Sequence, residues 1–208
     1  MEGISTDLVN VIKDYIIFKP KTKEDLQEAV NLWCENKEKA LTKYNHISLW
    51  DTSLITDMSS LFGYDSECYI YETVEMKRLS LGSKVYFNDD ISNWNVSSVT
   101  NMSHMFANAL SFNQPLDSWD VSSVTDMSYM FYAALSFDQP LNSWDVSSVT
   151  NMCGMFNGLD WESLSSIKNI FPINSYSFNQ TLNSWDVSSV TTMQGMFDAA
   201  VKFNQPID

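Results

Sequence analysis

Few side chains in this sequence are placed to do chemistry. His46 and His104 are its two histidines, and neither has a cysteine or a second histidine at the spacing of a zinc site. Serine and aspartate abound through repetition, but no Gly-x-Ser-x-Gly turn presents a nucleophile, and six glycines supply no phosphate-cradling loop. Cys34, Cys68 and Cys153 are dispersed without a Cys-x-x-Cys pair, so they define no disulfide framework. Cys153 stands where related segments carry Ser103 and Ser128, which reads as a small tolerated substituent. Asp51, Asp120, Asp145 and Asp186, with Asn95 in one unit, each follow a tryptophan and would form a row along one face. Such a row can hold calcium between stacked units, but the glycine-rich calcium-binding repeat is absent. The expected row is therefore a solvated face with side-chain-to-backbone bonds. These residues predict no catalytic group, no cofactor and no metal.

What remains is chemistry of recognition. Ten residues after each of five tryptophans lie Ser60, His104, Tyr129, Gly154 and Gly195, and thirteen after lie Gly63, Ala107, Tyr132, Asn157 and Asp198. These positions vary while their surroundings repeat, so His104, Tyr129, Tyr132, Asn157 and Asp198 are the candidate partner contacts. Tyr129 and Tyr132, three apart, would share one face of a short helix.

The elements that position them come from a repeat. Trp94, Trp119 and Trp144 are 25 residues apart, and in every unit a phenylalanine follows the tryptophan by twelve residues: Trp50 to Phe62, Trp94 to Phe106, Trp119 to Phe131, Trp144 to Phe156, Trp185 to Phe197. A unit this short cannot bury a hydrophobic face alone, so the copies must stack and share a core. Trp50, Trp94, Trp119, Trp144 and Trp185, with Phe106, Phe131, Phe156 and Phe197, are assigned to that core. Two irregular gaps imply insertions near 63–85 and 160–176, and a truncated sixth unit opens at Phe203. Within a unit, Leu116-x-x-Trp119-x-Val121-x-x-Val124 follows leucine-rich spacing and suits a short strand, while Met127, Met130, Phe131 and Ala134 suit one face of a short helix. Asn88, Asn113, Asp138, Asn179 and Asn204 recur at the return turn, where they can form a ladder onto backbone groups. The fold class expected is an α/β solenoid, a leucine-rich-repeat-like stack of 25-residue units, each a short strand plus a short helix or turn. Residues 47–208 form it, and 1–46 form a helical cap: Thr22 and Asp25 open a helix over 23–44 whose apolar stripe covers the first unit. A shorter helix is expected over 7–18.

The net charge of −14 is uneven, because residues 85–208 carry Lys168 and Lys202 as their only basic side chains. That field repels phosphate backbones and anionic lipid, which argues against nucleic acid and against membrane insertion and points to a protein partner. The open edge of the sixth unit adds self-association as an option. No signal peptide is read at the N-terminus, which favours an intracellular location.

The run Phe-Asn-Gln-Pro-Leu-x-Ser-Trp-Asp-Val-Ser-Ser-Val-Thr-Asp/Asn-Met-x-x-Met-Phe, seen over 47–208, resembles the repeat of the BspA-like leucine-rich repeat surface proteins, also described as a mycoplasma lipoprotein repeat of unassigned function. The resemblance implies a leucine-rich solenoid and, for exported members, adhesion to host or matrix proteins. Residues 7–16, Asp-Leu-Val-Asn-Val-Ile-Lys-Asp-Tyr-Ile, resemble the opening helix of an F-box, which implies a substrate adaptor. The leading expectation is a non-enzymatic repeat scaffold that mediates protein–protein interaction, with a surface adhesin exported by a missing or noncanonical signal as the alternative and the adaptor after it.

Overall fold

The chain begins with a cap and continues as a stack of coils. The computed structural model describes residues 17–63, 82–159 and 176–207. The expected helix at 7–18 and most of both insertions lie outside the described residues.

Thr22 opens helix α1 (Lys23–Glu35) with a capping box, its side chain accepting from the Asp25 amide and the Asp25 carboxylate accepting from the Thr22 amide. The single helix expected over 23–44 is broken at Asn36. There the amide still bonds Leu32 O, while the Asn36 side chain caps α2 (Lys37–Tyr44) by accepting from the Lys39 amide. An asparagine is suited to this double role, since its short side chain competes with helical hydrogen bonding. Leu26, Ala29, Val30 and Trp33 of α1 and Ala40 and Tyr44 of α2 are buried. Trp33 and Tyr44 meet Trp50 edge-on at centroid distances of 5.9 and 6.0 Å, so both helices close over the first coil.

The strand-plus-helix unit is contradicted, and with it the α/β solenoid of leucine-rich-repeat type. Among the described residues there is no strand, and α-helix occurs only in α1 and α2. Successive coils are joined by single parallel bridges, Asp57 to Asn101, Asn101 to Asp126, Asp126 to Asn151 and Asn151 to Thr192. The segment expected as a helix explains why. The amides of Met127, Tyr129, Phe131 and Ala133 all donate to the next coil, to the carbonyls of Asn151, Cys153, Met155 and Asn157 at 2.8–2.9 Å. The intervening amides of Met130, Tyr132 and Ala134 close turns back to Met127, Tyr129 and Phe131. Every second donor thus leaves its coil, and no helical i→i−4 bond can form. Tyr129 and Ala133 take φ of +54° and +53° to allow this alternation.

Side chains run along the stack in columns. Trp94, Trp119, Trp144 and Trp185 each donate their indole N–H to a carbonyl of the preceding coil, those of Ile47, Ile91, Leu116 and Leu141, at 2.8–3.2 Å. Buried indoles need such partners. Phe62, Phe106, Phe131, Phe156 and Phe197 stack at 5.4–5.6 Å, beside a second column of Phe87, Phe112, Phe137, Phe178 and Phe203 at 5.8–6.1 Å. Trp50, Trp94, Trp119 and Trp144 are buried, as are Phe106, Phe131 and Phe156; Trp185 and Phe197 of the last coil are partly exposed. At the return turn each Asn or Asp side chain accepts the amide 25 residues on, as Asn88 does from Asn113 and Asn113 from Asp138, or its counterpart beyond the second insertion, as Asp138 does from Asn179.

Candidate interaction surface

The position ten residues after each tryptophan is left-handed in all five coils: φ is +58° at Ser60, +58° at His104, +54° at Tyr129, +58° at Gly154 and +64° at Gly195. The N–H of this residue donates to the next coil from Ser60, His104, Tyr129 and Gly154. A non-glycine side chain here accepts a backbone cost of about 1–2 kcal/mol. His104 and Tyr129 therefore sit on strained, fixed backbone.

Their rings are brought together. The His104 imidazole stacks on the Tyr129 ring at 4.9 Å, and Tyr132 meets Tyr129 edge-on at 6.0 Å. The far side of the Tyr129 ring rests on Gly154: a β-carbon there would lie 2.4 Å from Tyr129 Cε1. The Cys153 thiol donates to Tyr129 Oη at 3.4 Å. The adjacent Cys153 side chain and burial push the phenol above its ordinary range, so the ring stays neutral. Asn157 and Asp198 flank the next left-handed site, with Asn157 Nδ2 and Asp198 Cβ 3.7 and 3.8 Å from where a β-carbon on Gly195 would lie. His104, Tyr129 and Tyr132 thus form one half-buried aromatic cluster, and Asn157 and Asp198 a polar continuation. No helix carries the two tyrosines; they face each other across a turn.

Segments 31–70, 69–167 and 159–208 match the model of a family described as Mycoplasma protein of unknown function, DUF285. The chain belongs to the DUF285 family. The segment junctions at 69–70 and 159–167 fall in the two insertions that interrupt the 25-residue period. No curated protein and no solved structure matches the chain.

Elsewhere on this DUF285 stack, polar side chains serve the backbone. Asp51, Asn95, Asp120, Asp145 and Asp186 each accept the amide two residues ahead, at 3.0–3.2 Å. Bonds from Ser147 and Ser188 hold Asp145 and Asp186 below the usual carboxylate range, and the Lys19 ammonium, with Ser53, brings Asp51 down to about 2. An inner row repeats the device: Asp57, Asn101, Asp126 and Asn151 accept from Ser59, Ser103, Ser128 and Cys153. One pairing that the sequence reading missed is His46 Nδ1 with Ser48 Oγ at 2.8 Å. The same nitrogen accepts from the Ser48 amide and caps the turn Ile47–Leu49, so the pair is a local cap two residues long. Among the described residues no helix is long and apolar enough to cross a membrane.

Proposed function

We propose that the protein is a non-enzymatic repeat scaffold that binds another protein, with the cluster of His104, Tyr129 and Tyr132 as the centre of contact and Asn157 and Asp198 as its polar flank. The observation that carries this reading is the cluster itself. Three rings occupy positions that vary between otherwise uniform coils, those of His104 and Tyr129 on left-handed backbone, and Tyr129 is seated on a glycine beside a thiol. Rigid aromatic groups with a polar tip give contact area at small entropic cost, which is why they dominate binding hot spots. The acidic repeat half favours a partner with a basic face.

A photo-crosslinking residue placed at Tyr132, compared with one at exposed Ser123, tests this in the native cell. A discrete protein adduct formed from position 132 and not from 123 is expected. Equal labelling from both positions, or none, would contradict the reading. The block's resemblance to the BspA-like surface proteins supports a narrower version, in which the partner is a host or matrix protein. Protease treatment of intact cells bearing a tagged full-length chain distinguishes the two, since a tag that survives places the partner inside.

A further inference from the structure

Two lysines of this chain already occupy the aspartate turns of the first coil. Lys19 Nζ donates to Asp51 Oδ2 at 2.7 Å and to Ser53 Oγ at 3.0 Å, and Lys23 Nζ donates to Asp57 Oδ1 at 3.1 Å and to Ser59 Oγ. In both cases a carboxylate and the hydroxyl two residues on hold one ammonium. The same Asp-x-Ser unit recurs at Asp120 and Ser122, Asp126 and Ser128, Asp145 and Ser147, and Asp186 and Ser188. Asp126 lies in the row of Asp57, where its Oδ2 accepts from Asn151 Nδ2 at 3.3 Å. Asp120, Asp145 and Asp186 lie in the row of Asp51 and are exposed.

In these three turns Oδ1 is committed to the protein itself. It accepts the amide of Ser122, Ser147 or Ser188 at 3.0–3.2 Å, and at Asp120 and Asp145 the serine hydroxyl as well, at 2.6 Å. Among the described residues no lysine is paired with any of the three. Asn95 separates them from the occupied Asp51. It keeps the same turn, accepting from the Ser97 amide and hydroxyl, without the charge.

We propose that Asp120, Asp145 and Asp186 form a docking row for lysine side chains of a partner protein, presented at i, i+4 and i+7 on one face of a helix. The chemistry of the occupant is that of Lys19 on Asp51. Spacing favours a helix: adjacent coils lie 5.4–5.6 Å apart along the Phe column, and three to four helical residues rise about 4.5–6 Å. Alternate residues of a strand are about 6.6–6.8 Å apart and drift out of register over three coils. With Oδ1 engaged in the turn, one carboxylate oxygen and a hydroxyl suit the compact ammonium better than the two-pronged guanidinium of arginine. The scarcity of basic side chains in 85–208 leaves the row without local competitors beyond Lys168 and Lys202. This surface is separate from the aromatic cluster, so it stands or falls independently of the crosslink from position 132.

The test titrates the full chain, at low ionic strength, into a labelled alanine-rich helical peptide carrying three lysines at that spacing, and reads fluorescence anisotropy. The comparison chain carries Asp120→Asn, Asp145→Asn and Asp186→Asn, which Asn95 shows to be compatible with the turn. Exposed ion pairs contribute roughly 1.5- to 5-fold each. The triple variant is therefore expected to bind at least fivefold more weakly, and the arginine version of the peptide no more tightly than the lysine one. Absence of binding, equal affinity of the two chains, or tighter binding of the arginine peptide overturns the proposal. Displacement of the peptide by millimolar calcium but not magnesium also overturns it, by making the row a metal site.

Discussion

At the N-terminal end the first coil lies beneath α1 and α2, and Ile47, Trp50, Met58 and Leu61 are at most 2 % exposed. At the other end Val187 and Met193 occupy the same repeat positions as Val121 and Met127, yet are 40 % and 39 % exposed against 1 % and 0 %. The residues are identical; the difference is the neighbour. Burial in this protein is conferred by the next coil or by a cap, not by the unit itself, as expected of a stack whose stability is the sum of nearest-neighbour interfaces.

Substitutions at matched positions sharpen that contrast. Trp119→Ala removes an interior indole and its bond to Ile91 O, and chemical denaturation should show a loss of about 3–5 kcal/mol. Trp185→Ala, on the partly exposed last coil, should cost roughly half of that, in proportion to the apolar area it buries. Equal losses would break the comparison. Next in size is the pair of donors on the first coil. The double variant Gln27→Leu with Lys84→Met strips both donors from Leu61 O and should destabilise the fold by about 1–3 kcal/mol.

Two glycines give a finer comparison. Gly154→Ala and Gly195→Ala carry the same left-handed strain, about 1–2 kcal/mol, but only at Gly154 would the new methyl strike the Tyr129 ring. Thermal unfolding should place Gly154→Ala below Gly195→Ala, and the gap measures how firmly Tyr129 is seated. The smallest effect is in acid. Asp51 titrates at about 2 when folded because Lys19 and Ser53 favour its charged form. Its folded value lies below the unfolded one, so the contribution is complete above the ordinary carboxylate range and lost as pH falls through about 2. Lys19→Met should flatten the low-pH decline in stability, a small change because the pair is partly exposed.

The period, the tryptophan and phenylalanine columns and the breaks in the repeat could all be read from spacing, because a residue that must pack on its own copy has to recur. The conformation within the unit could not. Turns closed between residues three apart place Met127, Met130 and Phe131 inward at nearly helical spacing, so periodicity mistook a chain of turns for a helix. What decides between them is the destination of the alternate amides, which lies in another coil. One local signal was present: glycines at 154 and 195, in register with Ser60, His104 and Tyr129, mark a left-handed position. Of the candidate contacts, the aromatic pair was visible as Tyr129 and Tyr132, but the seat on Gly154 and the Cys153 thiol needed the neighbouring coil. Asn36 broke α1 from α2 for a reason its residue type carries, the ability to end one helix and cap the next.

Amide hydrogen exchange in the free chain tests the inter-coil ladder most directly. Met127, Tyr129, Phe131 and Ala133 should be strongly protected, while Met193, Gly195, Phe197 and Ala199, at the same repeat positions, should exchange close to the rate of an unstructured chain. Equal protection of the two sets, or unbroken helical protection across 127–134, would contradict the account.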